Sequence, residues 1–273
     1  MWTNKRVGMI GCFVWMLTGA GWGQGALALE GRDVQPPPTV FEQIQIKRQD
    51  VTGDGRPDFV TLLGKRFAAD SPYFEHLKIM VQDPVAKKTT FFTTPYGAYQ
   101  PEMFFCDFTG GGVQQILLQA PTGGSAGTSE FYLFADKDNK PAILPVPQPL
   151  TISGSYQDHY KASLTIKETG ETVVLDLSHR KKIYEENGVY KNGKLVSSVE
   201  VMPNTFSVLM PIDENRDGIC ELKGEQRVSG VANADTIAYV ESYWKWDKTS
   251  WKLQRAVVRK AECRCLLGSN NRP

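Results

Sequence analysis

A nine-residue segment rich in aspartate and glycine occurs three times in this chain, and each copy leads into a short apolar run. Every copy has aspartate at position 1, an oxygen-bearing side chain at position 3, glycine at position 6 and an acid or an amide at position 9. The copies, named loop one, loop two and loop three, cover residues 50–58, 107–115 and 213–221. The second interval between their starts is close to twice the first, so the spacing predicts a fourth unit without the motif over about residues 150–205.

The segments between the loops have the hydrophobic pattern of short strands joined by turns. Apolar side chains alternate with polar ones or form short runs, and turns rich in Gly, Asn and Asp separate them. This pattern predicts strands or hairpins at residues 59–63, 116–118, 131–144, 164–175, 190–195 and 236–258. Only residues 178–186 have the pattern of a short helix. We therefore expect an all-β fold, a propeller-like array of about four antiparallel units, with a β-sandwich as the alternative.

The N-terminus has the features of a secretory signal peptide. Lys5 and Arg6 come before a mostly apolar stretch over residues 7–23, and Ala26 and Ala28 frame a small-x-small cleavage site. The prediction divides the chain into a signal peptide (1–28), a proline-rich leader (29–40), a single β-repeat domain (41–260) and a polar C-terminal tail (261–273). We expect a protein that is secreted or held in the cell envelope, with no membrane span once the signal peptide is removed.

Four cysteines follow the predicted cleavage site: Cys106, Cys220, Cys263 and Cys265. Export would permit disulfides, and four cysteines allow three pairings, among which the sequence does not choose. Cys106 and Cys220 each lie in or beside a predicted strand, so the favoured interpretation is that they are buried as small apolar side chains.

The charge balance excludes nucleic acid as the main partner. The chain has 31 Lys and Arg against 30 Asp and Glu, a formal net charge of +1, whereas phosphate binding needs a surplus of basic residues. We expect a monomer whose partner is another protein or a cell-wall glycan.

The spacing within the loops is typical of a site for a hard cation. Calcium binds six to eight oxygens, and a tight loop turns the side chains at positions 1, 3 and 5 toward one point. Glycine at position 6 permits the sharp turn that directs the carbonyl of position 7 inward, and an acid at position 9 completes the set. The predicted ligands are Asp50, Thr52, Asp54, the carbonyl of Arg56 and Asp58 in loop one, and Asp213, Asn215, Asp217, the carbonyl of Ile219 and Glu221 in loop three.

Loop two lacks part of this set. Gly111 occupies position 5 and Gln115 occupies position 9, so we expect the loop to keep its turn and to bind no ion. An EF-hand is excluded because it needs Glu at position 12 and flanking helices. Position 12 is Thr61 in loop one and Gly224 in loop three. The alternative to calcium is that all three loops are Asx-type turns without any ion.

Loop one, followed by its apolar strand, resembles the FG-GAP/VCBS repeat, a family that includes integrin-like β-propeller blades. The likeness to secreted bacterial VCBS-repeat proteins extends to residues 107–110, 121–125, 233–236 and 244–247. The resemblance implies β-propeller units in which the aspartate loop binds calcium between two strands. It implies calcium for loops one and three, and loop two departs from the pattern at Gly111 and Gln115.

These features predict a secreted, calcium-binding module that acts as a binding or scaffold protein and not as an enzyme. The alternative is an envelope-associated hydrolase whose carboxylates do acid–base work. The segment from Gly123 to Gly127 matches the nucleophile-elbow pattern around Ser125, but a strand follows it where the elbow needs a helix. Threonine is the poorer calcium ligand, so Thr52 predicts weaker binding in loop one than in loop three.

Overall fold

The computed structural model of the protein describes residues 40–261. The predicted signal peptide, all but the last residue of the predicted leader, and nearly all of the polar tail with Cys263 and Cys265 lie outside these residues. The described part confirms the all-β prediction, because its secondary structure is antiparallel strands apart from one short helix and two 3₁₀ turns.

The first two sheets are formed by consecutive strands that pair in chain order. The first sheet contains β1 (Glu42–Gln49), β2 (Asp58–Arg66), β3 (Tyr73–Asp83), β4 (Lys88–Thr93) and the short β5 (Ala98–Tyr99), which pairs with β3. The second sheet contains β6 (Glu102–Cys106), β7 (Gln115–Gly123), β8 (Thr128–Ala135) and β9 (Ala142–Leu144).

The second half of the chain forms two more sheets and a small hairpin. The third sheet contains β10 (Ile152–Gln157), β11 (Lys161–Ile166) and β12 (Thr172–Asp176), and is followed by the helix α1 (Lys181–Glu186) and the hairpin β13 (Tyr190–Lys191) and β14 (Lys194–Leu195). The fourth sheet contains β15 (Met202–Ile212), β16 (Glu221–Ser229), β17 (Thr236–Asp247) and β18 (Ser250–Lys260). The 3₁₀ turns are Lys137–Asn139 and Ser178–Arg180. The predicted hairpins and the predicted helix lie where the sequence places them.

The three aspartate loops occupy the same place in three of the four sheets. Each loop joins the first strand of its sheet to the second, and each closes on a strand pair formed by the residue before position 1 and the residue at position 9. These pairs are Gln49 with Asp58, Cys106 with Gln115, and Ile212 with Glu221. The third sheet has a short turn between β10 and β11 instead.

Two hydrophobic clusters form the core, and the second sheet contributes to both. Ile116 and Leu118 pack into the cluster shared with the first sheet. Leu117 and Leu133 pack into the cluster shared with the third and fourth sheets. Because successive strand residues face opposite sides of a sheet, the continuous apolar run of β7 is what a strand buried on both faces requires.

The structure corrects the prediction for two of the cysteines. Cys106 and Cys220 are joined in a disulfide, with their Cα atoms 6.1 Å apart and 114 residues between them in sequence. The favoured interpretation, that both are simply buried as small apolar side chains, misses this bond because the pairing depends on contacts between the second and fourth sheets. Neither strand pattern reveals those contacts.

No helix within residues 40–261 is long and apolar enough to cross a membrane.

Candidate metal centre

The three loops contact one another in series. Gly53 of loop one has φ +83° and lies against Val113 of loop two, where a Cβ atom would stand 2.5 Å from Cγ2 of Val113. Loop two is joined to loop three because the amide of Cys220 donates a hydrogen bond of 2.9 Å to the carbonyl of Asp107. The disulfide ties the same two segments covalently. The fold therefore brings three loops that lie far apart in sequence into contact in series.

The aspartate at position 1 organises each loop by accepting backbone N–H groups. Asp50 accepts from the amides of Gly53 and Gly55 at 2.6 and 2.8 Å. Asp213 accepts from those of Asp217 and Gly218 at 3.1 and 3.0 Å. A carboxylate has about four lone-pair positions, so these bonds leave acceptor capacity for a cation.

Loop two is closed by protein groups alone. The Asp107 carboxylate, 8% exposed, accepts hydrogen bonds from the four successive amides of residues 109–112 at 2.6 to 3.2 Å. At position 9, the Gln115 amide accepts from the amide of Phe108 at 2.8 Å and donates to the carbonyl of Val113 at 2.7 Å. This geometry agrees with the prediction that loop two keeps its turn, since both ends of the Gln115 side chain have partners.

The ninth residue of loop one points into the core. Asp58 is fully buried, and its Oδ2 accepts hydrogen bonds from the amides of Val51 and Thr52, at 2.9 and 3.1 Å, and from the Thr52 hydroxyl at 3.1 Å. Burial raises the pKa of Asp58 above its ordinary value, although these hydrogen bonds lower it in part. Two of the predicted ligands, Thr52 and Asp58, are therefore hydrogen-bonded to each other.

The remaining predicted ligands of loop one lie toward solvent. Asp50 is half-buried, whereas Asp54 is exposed and accepts the amide of Arg56 at 2.8 Å. Arg56, whose carbonyl is the predicted donor at position 7, is exposed as well. The structure thus separates the loop into an outer acidic turn and an inner carboxylate that fastens the turn to β2.

Loop three is an exposed turn with its acids on the surface. Asp217 accepts the amide of Ile219 at 2.8 Å, and the Asn215 amide group donates to Asp217 at 2.8 Å. These two hydrogen bonds lower the pKa of Asp217. Asp213, Asn215 and Asp217 are exposed, and Ile219 is half-buried.

Glu221 ends loop three in a different way from Asp58. Its side chain is 14% exposed and lies on the outer face of the fourth sheet, because the next residue, Leu222, is the one that faces the core. Oε1 of Glu221 is 3.2 Å from the ammonium group of Lys245. Oε2 is buried and has no hydrogen-bond partner among the residues that the structure describes.

The donor chemistry of loop three suits a hard cation. It offers three carboxylates, an amide oxygen and a main-chain carbonyl, and one carboxylate oxygen is buried without a partner. Within residues 40–261, however, no three His, Cys, Asp or Glu side chains are gathered as a metal-binding group. Calcium at loops one and three therefore stays a prediction, and loop three is the copy whose residues fit it better.

Two buried aspartates outside the predicted ligand set lie near loop one. Asp83 is across from Asp58 on β3 and is 3% exposed. Asp136 is 1% exposed, and burial raises its pKa, with a further rise caused by the charges of Asp58 and Asp83. The amide of Asp138, in the turn after Asp136, donates to the carbonyl of Thr52 at 2.9 Å. The sequence shows these acids, but only the fold places them beside loop one, Asp83 by strand register and Asp136 by the turn that follows it.

The fold and the site define a class, an all-β protein with repeated aspartate loops, and comparison with known proteins gives the family. Residues 150–259 match the family described as the YybI C-terminal domain. The chain is 31% identical over 241 residues to the uncharacterized protein YybI of Bacillus subtilis (strain 168), and the alignment covers 84% of this chain and 92% of that protein. The chain belongs to the YybI family. No solved structure matches it.

Proposed function

We propose that this protein is an exported β-repeat module that binds calcium and serves as a binding or scaffold protein of the cell envelope or the extracellular space. The observation that carries the proposal is the buried, unpartnered Oε2 of Glu221 at the position of the last ligand in the repeat. A buried carboxylate oxygen without a partner is costly, and a bound cation would remove that cost. In loop three, Asp213, Asn215, Asp217, the carbonyl of Ile219 and Glu221 would hold the ion.

The finer fold assignment is part of the same proposal. The four sheets would be the units of a propeller-like array of the FG-GAP/VCBS type. Support comes from the strand order, since each sheet is a meander, and from the three loops, which join the first and second strands of their sheets.

Export has support that does not depend on the N-terminal segment. Disulfides persist in oxidising compartments and are rare in the cytosol, so the Cys106–Cys220 bond favours a protein that leaves the cytoplasm. N-terminal sequencing of the exported protein should find a start at or near Leu29. A start at Met1 would contradict the signal-peptide prediction.

The protein would act as a monomer, and its partner would be another protein or a cell-wall glycan. The hydrolase alternative has less support, because burial raises the pKa of two aspartates, Asp58 and Asp136, that are 0% and 1% exposed. A general acid has to reach its substrate, and these two carboxyl groups are closed to solvent.

Calcium binding can be tested by titration calorimetry on the mature protein, together with melting curves in a chelator and in added calcium. We expect calcium to bind and to raise the melting temperature, since a ligand that binds only the folded state stabilises it. Asp107→Asn is the control and should leave the number of bound ions unchanged, because loop two is closed by its own amides. A melting curve that responds to neither chelator nor calcium would show that all three loops are plain turns.

A further inference from the structure

The ninth residue of loop three, Glu221, forms an ion pair with a lysine of the neighbouring strand, Lys245. Leu222 pairs with Trp244 in the antiparallel register of β16 and β17, so Lys245 lies directly across from Glu221. Facing residues in neighbouring antiparallel strands have their Cβ atoms about 5 Å apart. The Lys245 ammonium uses this position to reach within 3.2 Å of Oε1 of Glu221.

The side chain of Lys245 is 50% exposed, so the ammonium group can move into solvent without unfolding β17.

Loop one has the opposite arrangement at the corresponding position. Phe59 pairs with Gln82, which places Asp83 across from the ninth residue, Asp58. An acid thus faces the ninth residue in the first sheet, and a base faces it in the fourth sheet. The difference lies in one residue of the third strand and not in the loop motif.

We propose, on the basis of the calcium-binding function above, that Lys245 is a built-in competitor for the cation at loop three and sets the affinity of that loop. When the ammonium group pairs with Glu221, it partly neutralises one of the carboxylates that a divalent cation needs. A cation that binds loop three has to displace this ion pair, whereas Oε2 of Glu221 remains available as a buried acceptor. The competition lowers affinity and leaves the ligand set intact.

The size of the effect follows from the exposure of the pair. Ion pairs of this kind contribute up to about 1 kcal/mol, which is roughly a fivefold change in a dissociation constant. Lys245→Met keeps the length of the side chain and removes the charge, so we expect calcium to bind loop three about two- to fivefold more tightly at fixed ionic strength. Lys245→Arg keeps the charge and should keep the weaker affinity.

The test is calcium titration calorimetry on the mature protein with Asp54→Ala, which leaves loop three as the proposed site. Three variants are made in that background: Lys245→Met, Lys245→Arg and the control Lys191→Met. The control removes an equal charge from the hairpin β13–β14, outside the three loops. Tighter binding in Lys245→Met alone supports the proposal. Equal affinity in Lys245→Met and Lys191→Met overturns it while the calcium function stands. An absence of binding in all four proteins overturns both.

Melting curves give a second readout that a purely structural lysine would not produce. In chelator, Lys245→Met should melt at a lower temperature than its parent, because Glu221 loses its partner. Addition of calcium should raise the melting temperature of Lys245→Met by more than it raises that of the parent. A role limited to folding would lower both melting temperatures equally, and that result would also overturn the proposal.

Discussion

Loop one and loop three have the same spacing and close on the same kind of strand pair, yet their ninth residues face opposite sides of their sheets. Asp58 points into the core, where backbone amides bind its carboxylate. Glu221 lies on the outer face, beside a lysine. The Asp58 carboxylate therefore stabilises its own loop, whereas Oε2 of Glu221 has no hydrogen-bond partner among the described residues.

This contrast shows that the turn conformation of the motif and the orientation of its ninth side chain have different causes. The spacing of aspartate and glycine determines the turn, because backbone amides converge on the first aspartate in every copy. The strand that follows determines whether the ninth carboxylate stabilises the fold or is available for binding. Shared spacing alone does not give two copies the same role.

The largest expected effect concerns the disulfide, which fastens loop three but not loop one. Replacing both Cys106 and Cys220 by alanine should lower the free energy of unfolding by about 4 kcal/mol, since a bond across 114 residues restricts the unfolded chain strongly. Hydrogen exchange should speed up at the amides of Asp217 and Gly218 more than at those of Gly53 and Gly55. Equal changes in both loops would show that the bond does not act locally on loop three.

The next effect tests the two ninth residues directly. Asp58→Ala leaves buried amides without an acceptor and should cost about 3 kcal/mol of unfolding free energy. Glu221→Ala removes a carboxylate whose ion pair is partly exposed and should cost less than about 1 kcal/mol. Urea denaturation of both variants in calcium-free buffer measures the difference. Similar losses would mean that the two carboxylates have the same structural role.

Calcium-dependent stabilisation compares the two loops as binding sites. Asp54→Ala and Asp217→Ala each delete the carboxylate at position 5, and each should remove up to about 2.7 kcal/mol of stabilisation at calcium 100-fold above the dissociation constant. Asn215 is a better calcium ligand than Thr52, which favours tighter binding in loop three, whereas the charge of Lys245 lowers the affinity of that loop. We therefore expect Asp217→Ala to remove clearly more of the calcium-induced increase in melting temperature in a Lys245→Met background. A larger loss from Asp54→Ala in that background would reverse the order of affinities.

The smallest effect is in the pH dependence of stability without calcium. Burial raises the pKa of Asp58, so the folded state holds that proton more tightly, and this contribution to stability is lost as the pH rises above 3.8. Hydrogen bonds lower the pKa of Asp217, so its contribution is lost as the pH falls below 3.8. The free energy of unfolding is measured between pH 3 and 6 for the wild type, Asp58→Asn and Asp217→Asn. The difference between the wild type and each variant, plotted against pH, should have slopes of opposite sign for the two variants. Slopes of the same sign would contradict the assigned environments.

Much of the fold could be predicted from local pattern. The hairpin at residues 236–258 and the short helix near Lys181 follow from alternation, turn residues and length. The disulfide could not be predicted, since it depends on how the second and fourth sheets pack. Four cysteines in a sequence leave the pairing open.

The candidate site could be predicted in composition but not in geometry. The motif identifies Asp213 and Asp217 as candidates, and it does so equally for Asp50 and Asp54. It does not reveal which way Asp58 and Glu221 face, because a shift of one residue along a strand exchanges core and solvent. Lys245 could not be recognised, since its position across from Glu221 exists only once β16 and β17 have paired in register.

The disulfide also has a consequence for the order in which an exported chain becomes complete. If the chain crosses the membrane from its N-terminus, the thiol of Cys106 emerges while Cys220, 114 residues later, is still to come. The strands of the first two sheets can assemble during that interval, but the bond cannot form until β16 begins to emerge. Oxidation of this pair would then show that the chain has crossed at least as far as Cys220.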